Sequence, residues 1–225
     1  LFPYTTLFRS DSRLVLALDE TRRERALWVA EQVADLVDAI KVNWPLVLSA
    51  SPDIVTELSA LCPVICDFKV ADIPNTNRLI VESAISLGAS GVIVHGFVGV
   101  DSVKAAVEAA GDAEVLVVAE MSHPGGEEFT APAAGRVVEI ALETGAAGLI
   151  APATRPERVA WIRKKAPRLR ILCPGVGAQG GKASAAITSG ADQVIVGRAI
   201  YQSEEPRAVA LSVIEEVRDA LQGGE

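Results

Sequence analysis

The chain switches between two kinds of segment eight times, and that alternation decides most of what it can fold into. Short runs rich in Val, Ile and Leu read as strands buried on both faces. The longer stretches between them carry apolar residues at helical spacing. The strands fall at 14–18, 39–42, 64–68, 91–94, 115–119, 148–150, 171–173 and 194–196. Helices follow at about 22–37, 45–60, 74–87, 100–110, 131–144, 155–165, 181–189 and 206–221. Strict alternation implies parallel strands joined by right-handed crossovers. Eight such units predict an α/β fold of the (β/α)8 (TIM) barrel type, at the short end of its size range. An open doubly wound sheet is the alternative. It normally carries a Gly-rich turn after its first strand, and here that strand runs into Ala17-Leu18-Asp19-Glu20. Gly88, Gly145 and Gly190 stand where helices end just before a strand, and Pro74, Pro156 and Pro206 stand where helices start. No linker or shift in composition divides residues 11–225, which read as one barrel domain.

Composition enters by exclusion. Half of the 225 residues are apolar, enough for a core and too many for a disordered chain. The 21 Lys and Arg against 29 Asp and Glu give a net charge of −8, which repels nucleic-acid backbones. No run approaches the ~20 apolar residues of a membrane span. The three cysteines, Cys62, Cys66 and Cys173, are too few for a disulfide scaffold and lack zinc-binding spacing. They read as reduced packing residues. The expectation is a cytoplasmic protein with neither nucleic-acid nor membrane partners. Residues 1–10, Leu1-Phe-Pro-Tyr-Thr-Thr-Leu-Phe-Arg-Ser10, hold two of the five Phe and one of the two Tyr. They resemble the in-frame translation of a sequencing-adapter oligonucleotide, are read as non-native, and are set aside from the fold.

In a barrel the chemistry belongs at the C-terminal mouth, and polar residues collect at the predicted strand ends. In Cys66-Asp-Phe-Lys-Val-Ala-Asp-Ile-Pro-Asn-Thr-Asn77, Asp67 and Lys69 lie two apart and so share one face of the third strand. Cys66 and Phe68 face the helices. Charges on an inner face must be paired, so the set is either a stabilising ion pair or a site. Asp72 follows in the loop. Asp19 after the first strand and Lys41 ending the second extend the set to carboxylates and ammonium groups around one mouth. Such a network can keep Lys69 protonated, and a placed ammonium is a general acid. Asp19 also has an alternative as a helix N-cap before Thr21.

The other side of the mouth offers an anion site. Pro174-Gly-Val-Gly-Ala-Gln-Gly-Gly181 follows strand seven and Gly197-Arg198 follows strand eight, positions where this fold often binds phosphate through backbone N–H groups. Arg198 adds a charge-assisted contact, and Gln179 can donate from a Gly-rich lid. His95 and His123 follow strands four and five, but no further ligand accompanies them, so they read as hydrogen-bonding or structural residues and no metal site is expected. Ser122, in Met121-Ser-His-Pro-Gly125, has no adjacent base and reads as a substrate hydrogen-bonding group.

Asp67-Phe-Lys-Val-Ala-Asp-Ile-Pro74, with Asp19, Lys41, Met121–Gly125, Pro174–Gly181 and Val196-Gly-Arg198, resembles the orotidine 5′-phosphate decarboxylases of the archaeal type. The likeness spans about Arg13 to Leu221. The Asp-x-Lys-x-x-Asp pattern marks only a wider suprafamily, and Ile73-Pro74-Asn75-Thr76 and the Gln179 lid narrow it. The resemblance implies conversion of orotidine 5′-monophosphate to UMP and CO2 in pyrimidine biosynthesis, with no metal or organic cofactor. It implies that Lys69 protonates C6, with Asp67 and a partner subunit's Asp72 beside the leaving carboxylate. By the same likeness, Lys41 bridges the network and the ribose. Asp19 and a partner's Thr76 bind ribose hydroxyls, and Ile73 belongs to the same substrate-binding set. Ser122 reads the pyrimidine edge. Gln179, Gly197 and Arg198 hold the phosphate, and Pro174 and Val176 line the lid side. A site built this way requires a homodimer. One departure stands out: Asn43 and Trp44 occupy positions where that family often carries Gly and an aromatic residue. Two alternatives share parts of the pattern. One is a Mg2+-dependent hexulose-phosphate synthase or keto-gulonate-phosphate decarboxylase. The other is a non-catalytic barrel that binds a phosphorylated ligand.

Overall fold

The computed structural model describes residues 12–223, so the reading of residues 1–10 as non-native lies outside the described residues. Eight parallel strands close into a barrel in chain order, with the last hydrogen-bonded to the first. They are β1 (Leu14–Leu18), β2 (Ala39–Val42), β3 (Val64–Val70), β4 (Gly91–His95), β5 (Glu114–Val118), β6 (Gly148–Ile150), β7 (Arg170–Pro174) and β8 (Gln193–Val196). Around them lie α1 (Arg23–Val33), α2 (Trp44–Ala50), α3 (Ile54–Ser59), α4 (Pro74–Ser86), α5 (Val100–Ala110), α6 (Gly126–Thr144), α7 (Pro156–Lys165), α8 (Ala183–Thr188), α9 (Arg198–Tyr201) and α10 (Pro206–Gln222). The expected (β/α)8 barrel is therefore present. The helix-ending glycines do adopt positive φ, as at Gly88 (+97°) and Gly190 (+104°). Pro74, Pro156 and Pro206 each open a helix.

Strand alternation sorts the apolar side chains into two layers. Val15, Ala39, Ile65, Ile93, Leu116, Leu172 and Ile195 form an inner cluster that contains no helix residues. Their strand neighbours Leu14, Leu16, Ile40, Val64, Cys66 and Val92 join the apolar faces of the helices in a larger outer cluster. Lys41 stands two residues beyond Ala39, and Asp67 two beyond Ile65. The inner stacks thus turn from apolar to charged toward the C-terminal ends of the strands, and this switch sets where the site begins.

Among the differences from the expected elements, four stand out. The single helix expected over 45–60 is two helices, α2 and α3. Ser51 leaves α2 at φ +72°, and Pro52 has no N–H to continue the ladder. Helix α6 starts at Gly126 rather than 131, with Pro132 inside it. Its first turn is acidic, which suits a helix N-terminus, and Thr130 Oγ1 ties it down by donating to the Gly126 carbonyl (2.7 Å) and accepting from Met121 N–H (3.1 Å). A further helical turn, α9, follows β8. Strand β3 runs on to Val70, through an irregular stretch in which β3 takes four steps from Cys66 to Val70 while β4 takes two from Val92 to Val94.

Candidate active site

A cavity of about 390 Å3 opens at the C-terminal mouth. Its floor is ionic. Lys41 ends the inner stack of β2 and is 5% exposed, and Asp67 on β3 is 6% exposed. Lys41 Nζ lies 2.8 Å from Asp67 Oδ2, and Lys69 Nζ lies 2.9 Å from each Asp67 oxygen. Asp67 and Lys69 meet as their spacing predicted, but not through regular strand geometry. Lys69 has φ +45°, so the backbone turns out of the pleat before its side chain swings back to Asp67. Cys66 and Phe68 pack in the outer layer, as expected.

The charges stabilise one another. Burial works against ionisation of Lys41, but Asp67 and then Asp19 outweigh it and hold its pKa above the ordinary ammonium value. Burial likewise opposes the Asp67 carboxylate, and Lys41 and Lys69 outweigh it, so its pKa is depressed. Asp19 lines the same cavity and has one buried oxygen without a hydrogen-bond partner. The alternative of Asp19 as an N-cap is not what forms. Helix α1 begins at Arg23 with Arg22 at its cap, and Glu20 accepts the Arg22 N–H at 3.0 Å.

The opposite wall is the loop after β7. Gly177 N–H donates to Gly181 (2.8 Å) and Gly181 N–H to Gly175 (3.0 Å), so the loop is closed on itself. It is fixed over the mouth by Ser122 Oγ, which donates to Gln179 Oε1 at 2.9 Å. Pro174, Val176, Gln179, Gly197 and Arg198 all line the cavity, as does Ser122. Thirteen positions were expected to form the site, and ten of them meet here. Asp72, Ile73 and Thr76 do not line the cavity of their own chain. Asp72 N–H donates to Asn77 Oδ1 (2.9 Å), and buried Asn77 anchors the loop to α5 through the Ser102 carbonyl (3.3 Å). This leaves Ile73 65% exposed.

Asn43, Glu120, His123 and Tyr201 also line the cavity and were not read as site residues. Glu120 is fully buried, held by Arg155 Nε at 3.0 Å and Arg158 Nε at 2.7 Å. It follows the apolar run of β5 just as Asp19 follows that of β1, and that parallel was the available signal. His95 ends β4 with its ring against Phe97 at 4.8 Å, and its Nδ1 is buried without a partner. Burial, then Lys69, pushes the pKa of His95 down. Among the described residues no group of three or more His, Cys, Asp or Glu could hold a metal ion. No described helix is long and apolar enough to cross a membrane.

Fold and site together define a (β/α)8 barrel enzyme whose charged groups gather at the mouth of the strands. The chain belongs to the orotidine 5′-phosphate decarboxylase / HUMPS family, which it matches over residues 12–213. It is 56% identical to the orotidine 5′-phosphate decarboxylase of Methanosarcina mazei, over 93% of this chain and 97% of that one. It is 53% identical to that of Thermococcus kodakarensis, over 94% and 99%. Among solved structures, orotidine 5′-monophosphate decarboxylase from Methanocaldococcus jannaschii complexed with the inhibitor BMP superposes with a TM-score of 0.86. That protein is 48% identical, over 91% of this chain and 97% of the other.

Proposed function

We propose that this chain is a carboxy-lyase that converts orotidine 5′-monophosphate to UMP and CO2, the last step of UMP synthesis. The observation that carries the reading is the Lys41–Asp67–Lys69 array at the floor of a cavity walled by Gln179 and Arg198. Breaking the bond from C6 to the carboxylate leaves a pair of electrons in the plane of the pyrimidine, where the ring delocalises it poorly. A fixed cation beside C6 is therefore worth most in the transition state. Lys69 supplies it, and its Nζ–H then donates the proton that completes UMP, to be replaced from solvent. Asp67 orients Lys69 and lies beside the leaving carboxylate. Lys41 neutralises Asp67 from the other side and reaches the ribose with Asp19. Ser122 meets the pyrimidine edge. Gln179, Arg198 and the Gly197 backbone take the phosphate, with Pro174 and Val176 behind them, and that remote contact supplies binding energy used at C6. The chemistry is read as needing no metal or organic cofactor.

The position of Asp72, Ile73 and Thr76 outside their own cavity supports a homodimer in which a second copy presents Asp72 beside Lys69 and Thr76 to the ribose. Cytoplasmic residence is part of the same reading.

The test is direct. Purified protein in EDTA should lower the ultraviolet absorbance of orotidine 5′-monophosphate as UMP forms, and Lys69→Ala should abolish the change. A folded wild-type protein without turnover refutes the proposal. Activity lost in EDTA and restored by Mg2+ would favour the sugar-phosphate alternative.

A further inference from the structure

Strand β3 leaves the sheet at the point where its chemistry lies. Asp67, Phe68 and Lys69 have no register partner on β2 or on β4. Lys69 is held at φ +45°, a conformation that a residue with a side chain keeps only where its surroundings over-determine it. Its ammonium is tied to Asp67, but that bond fixes the tip of a long side chain, not the backbone it grows from.

The backbone is tied elsewhere. The Phe68 carbonyl, next to the Lys69 amide, accepts a hydrogen bond from Trp44 Nε1–H at 3.1 Å. The Trp44 and Phe68 rings stack at 4.3 Å with an interplanar angle of 21°. Trp44 is itself anchored, because it opens α2 with its N–H bonded to Asn43 Oδ1 at 2.7 Å and Pro45 next in line. An indole that is 41% exposed thus makes a two-point grip on the one peptide unit preceding Lys69.

We infer that Trp44 is a positioning residue for Lys69: its N–H and its ring hold the Phe68 peptide so that Lys69 keeps its left-handed backbone and its ammonium stays on Asp67. The inference rests on the reading of Lys69 as the proton donor. It gives Trp44 a role that an aromatic residue without a ring N–H could fill only in part, since such a ring stacks on Phe68 but leaves its carbonyl unbonded.

Trp44→Phe separates the two halves of the grip. It should lower kcat about three- to tenfold, the usual worth of one net hydrogen bond, with KM for orotidine 5′-monophosphate within twofold of wild type. Trp44→Leu, which loses ring and N–H, should lower kcat further at similar KM. A crystal structure of Trp44→Phe should find Lys69 out of the positive-φ region or its Nζ withdrawn from Asp67. An unchanged kcat, a loss carried by KM, or a Lys69 that keeps both its φ and its Asp67 contact overturns the inference. If wild type does not turn over the nucleotide, the proposed function fails, and the crystal structure still decides whether Trp44 sets Lys69.

Discussion

Asp67 is the member of the site whose loss should be felt most by the folded chain, and the structure allows the loss to be sized. Asp67 faces two ammonium groups at nearly equal distance, 2.8 Å to Lys41 and 2.9 Å to Lys69. Distance does not rank the two contacts, but solvent does. The side chain of Lys41 is 6% exposed and that of Lys69 is 32% exposed. In Asp67→Asn, which keeps shape and removes charge, Lys69 can turn to water, so its pair contributes about 0–1 kcal/mol. Lys41 cannot. Removing one partner of a buried pair costs about 3–5 kcal/mol, because it strands the other charge. Asp19 also acts on Lys41 and retains part of the compensation, which places the expected loss near the lower end, about 3 kcal/mol. For a chain of this size that is a fall in Tm of roughly 6–12 °C.

The assay is thermal or urea unfolding at pH 7 of wild type, Asp67→Asn and the double variant Lys41→Met/Asp67→Asn. The double variant no longer buries an unpaired charge and should recover most of the lost stability. The pH dependence follows from the depressed carboxyl. Its pKa is lower in the folded than in the unfolded chain, so its contribution is complete above the unfolded value of about 3.9 and is lost as pH falls through the folded one. Lys41 is shifted upward, so its share is complete below about 10.4 and is lost only as pH rises through its folded value. The gap between wild type and Asp67→Asn should therefore be flat across neutral pH and shrink at both extremes. A single variant that loses less than about 1 kcal/mol, or a double variant no more stable than the single, would refute the reasoning.

Two further outcomes are expected. Arg198 is exposed at the rim, so Arg198→Ala should leave the unfolding midpoint nearly unchanged while kcat/KM for orotidine 5′-monophosphate falls roughly 10- to 100-fold, the worth of one charge-assisted hydrogen bond. Steady-state kinetics beside a melting curve checks both halves, and an unchanged kcat/KM would remove Arg198 from the phosphate site. Burial pushes the thiols of Cys62 to about 11 and Cys66 to about 12 and raises that of Cys173 as well. A thiolate-selective reagent at pH 8 should find all three silent in the native chain and reactive after denaturation, and a fast native phase would contradict this.

The eight strands were legible because each is a short apolar run bounded by a Gly or a polar cluster, and closure leaves no other use for eight of them. Helix interiors were harder. The expected start at 131 falls well inside α6, because Thr130 and the acidic turn before it had already secured the N-terminus. Ser51-Pro52 breaks what periodicity ran together as one helix, since hydrophobic spacing continues across a break that φ at Ser51 makes complete. In the site, Asp19, Lys41, Asp67 and Lys69 were visible as charges at the ends of apolar strands. Glu120 carried the same mark, but its partners Arg155 and Arg158 lie far along the chain, and no spacing announces a pairing made with the start of α7. The irregular course of β3 was not legible at all, since a strand's alternation gives Asp67 and Lys69 the same face whether or not the backbone stays in the sheet.

The net charge shows why such a site cannot be read from the whole chain. The sequence sums to −8, yet around the cavity Lys41, Lys69 and Arg198 stand against Asp19, Asp67 and Glu120, and Glu120 is itself paired with Arg155 and Arg158 behind the wall. Exposed charges more than about 8–10 Å away are largely screened at physiological salt, whereas Lys41 and Asp67 are shielded from that screening by their burial. A long polyanion would meet the whole acidic surface, whereas a single nucleotide would meet only the mouth. There Asp67 costs the site little attraction, because Lys41 neutralises it from the barrel side. On the proposed reading, Lys41 thus leaves Lys69 and Arg198 to face the substrate, and local cancellation rather than any overall basic character would let an acidic chain accept an anionic ligand.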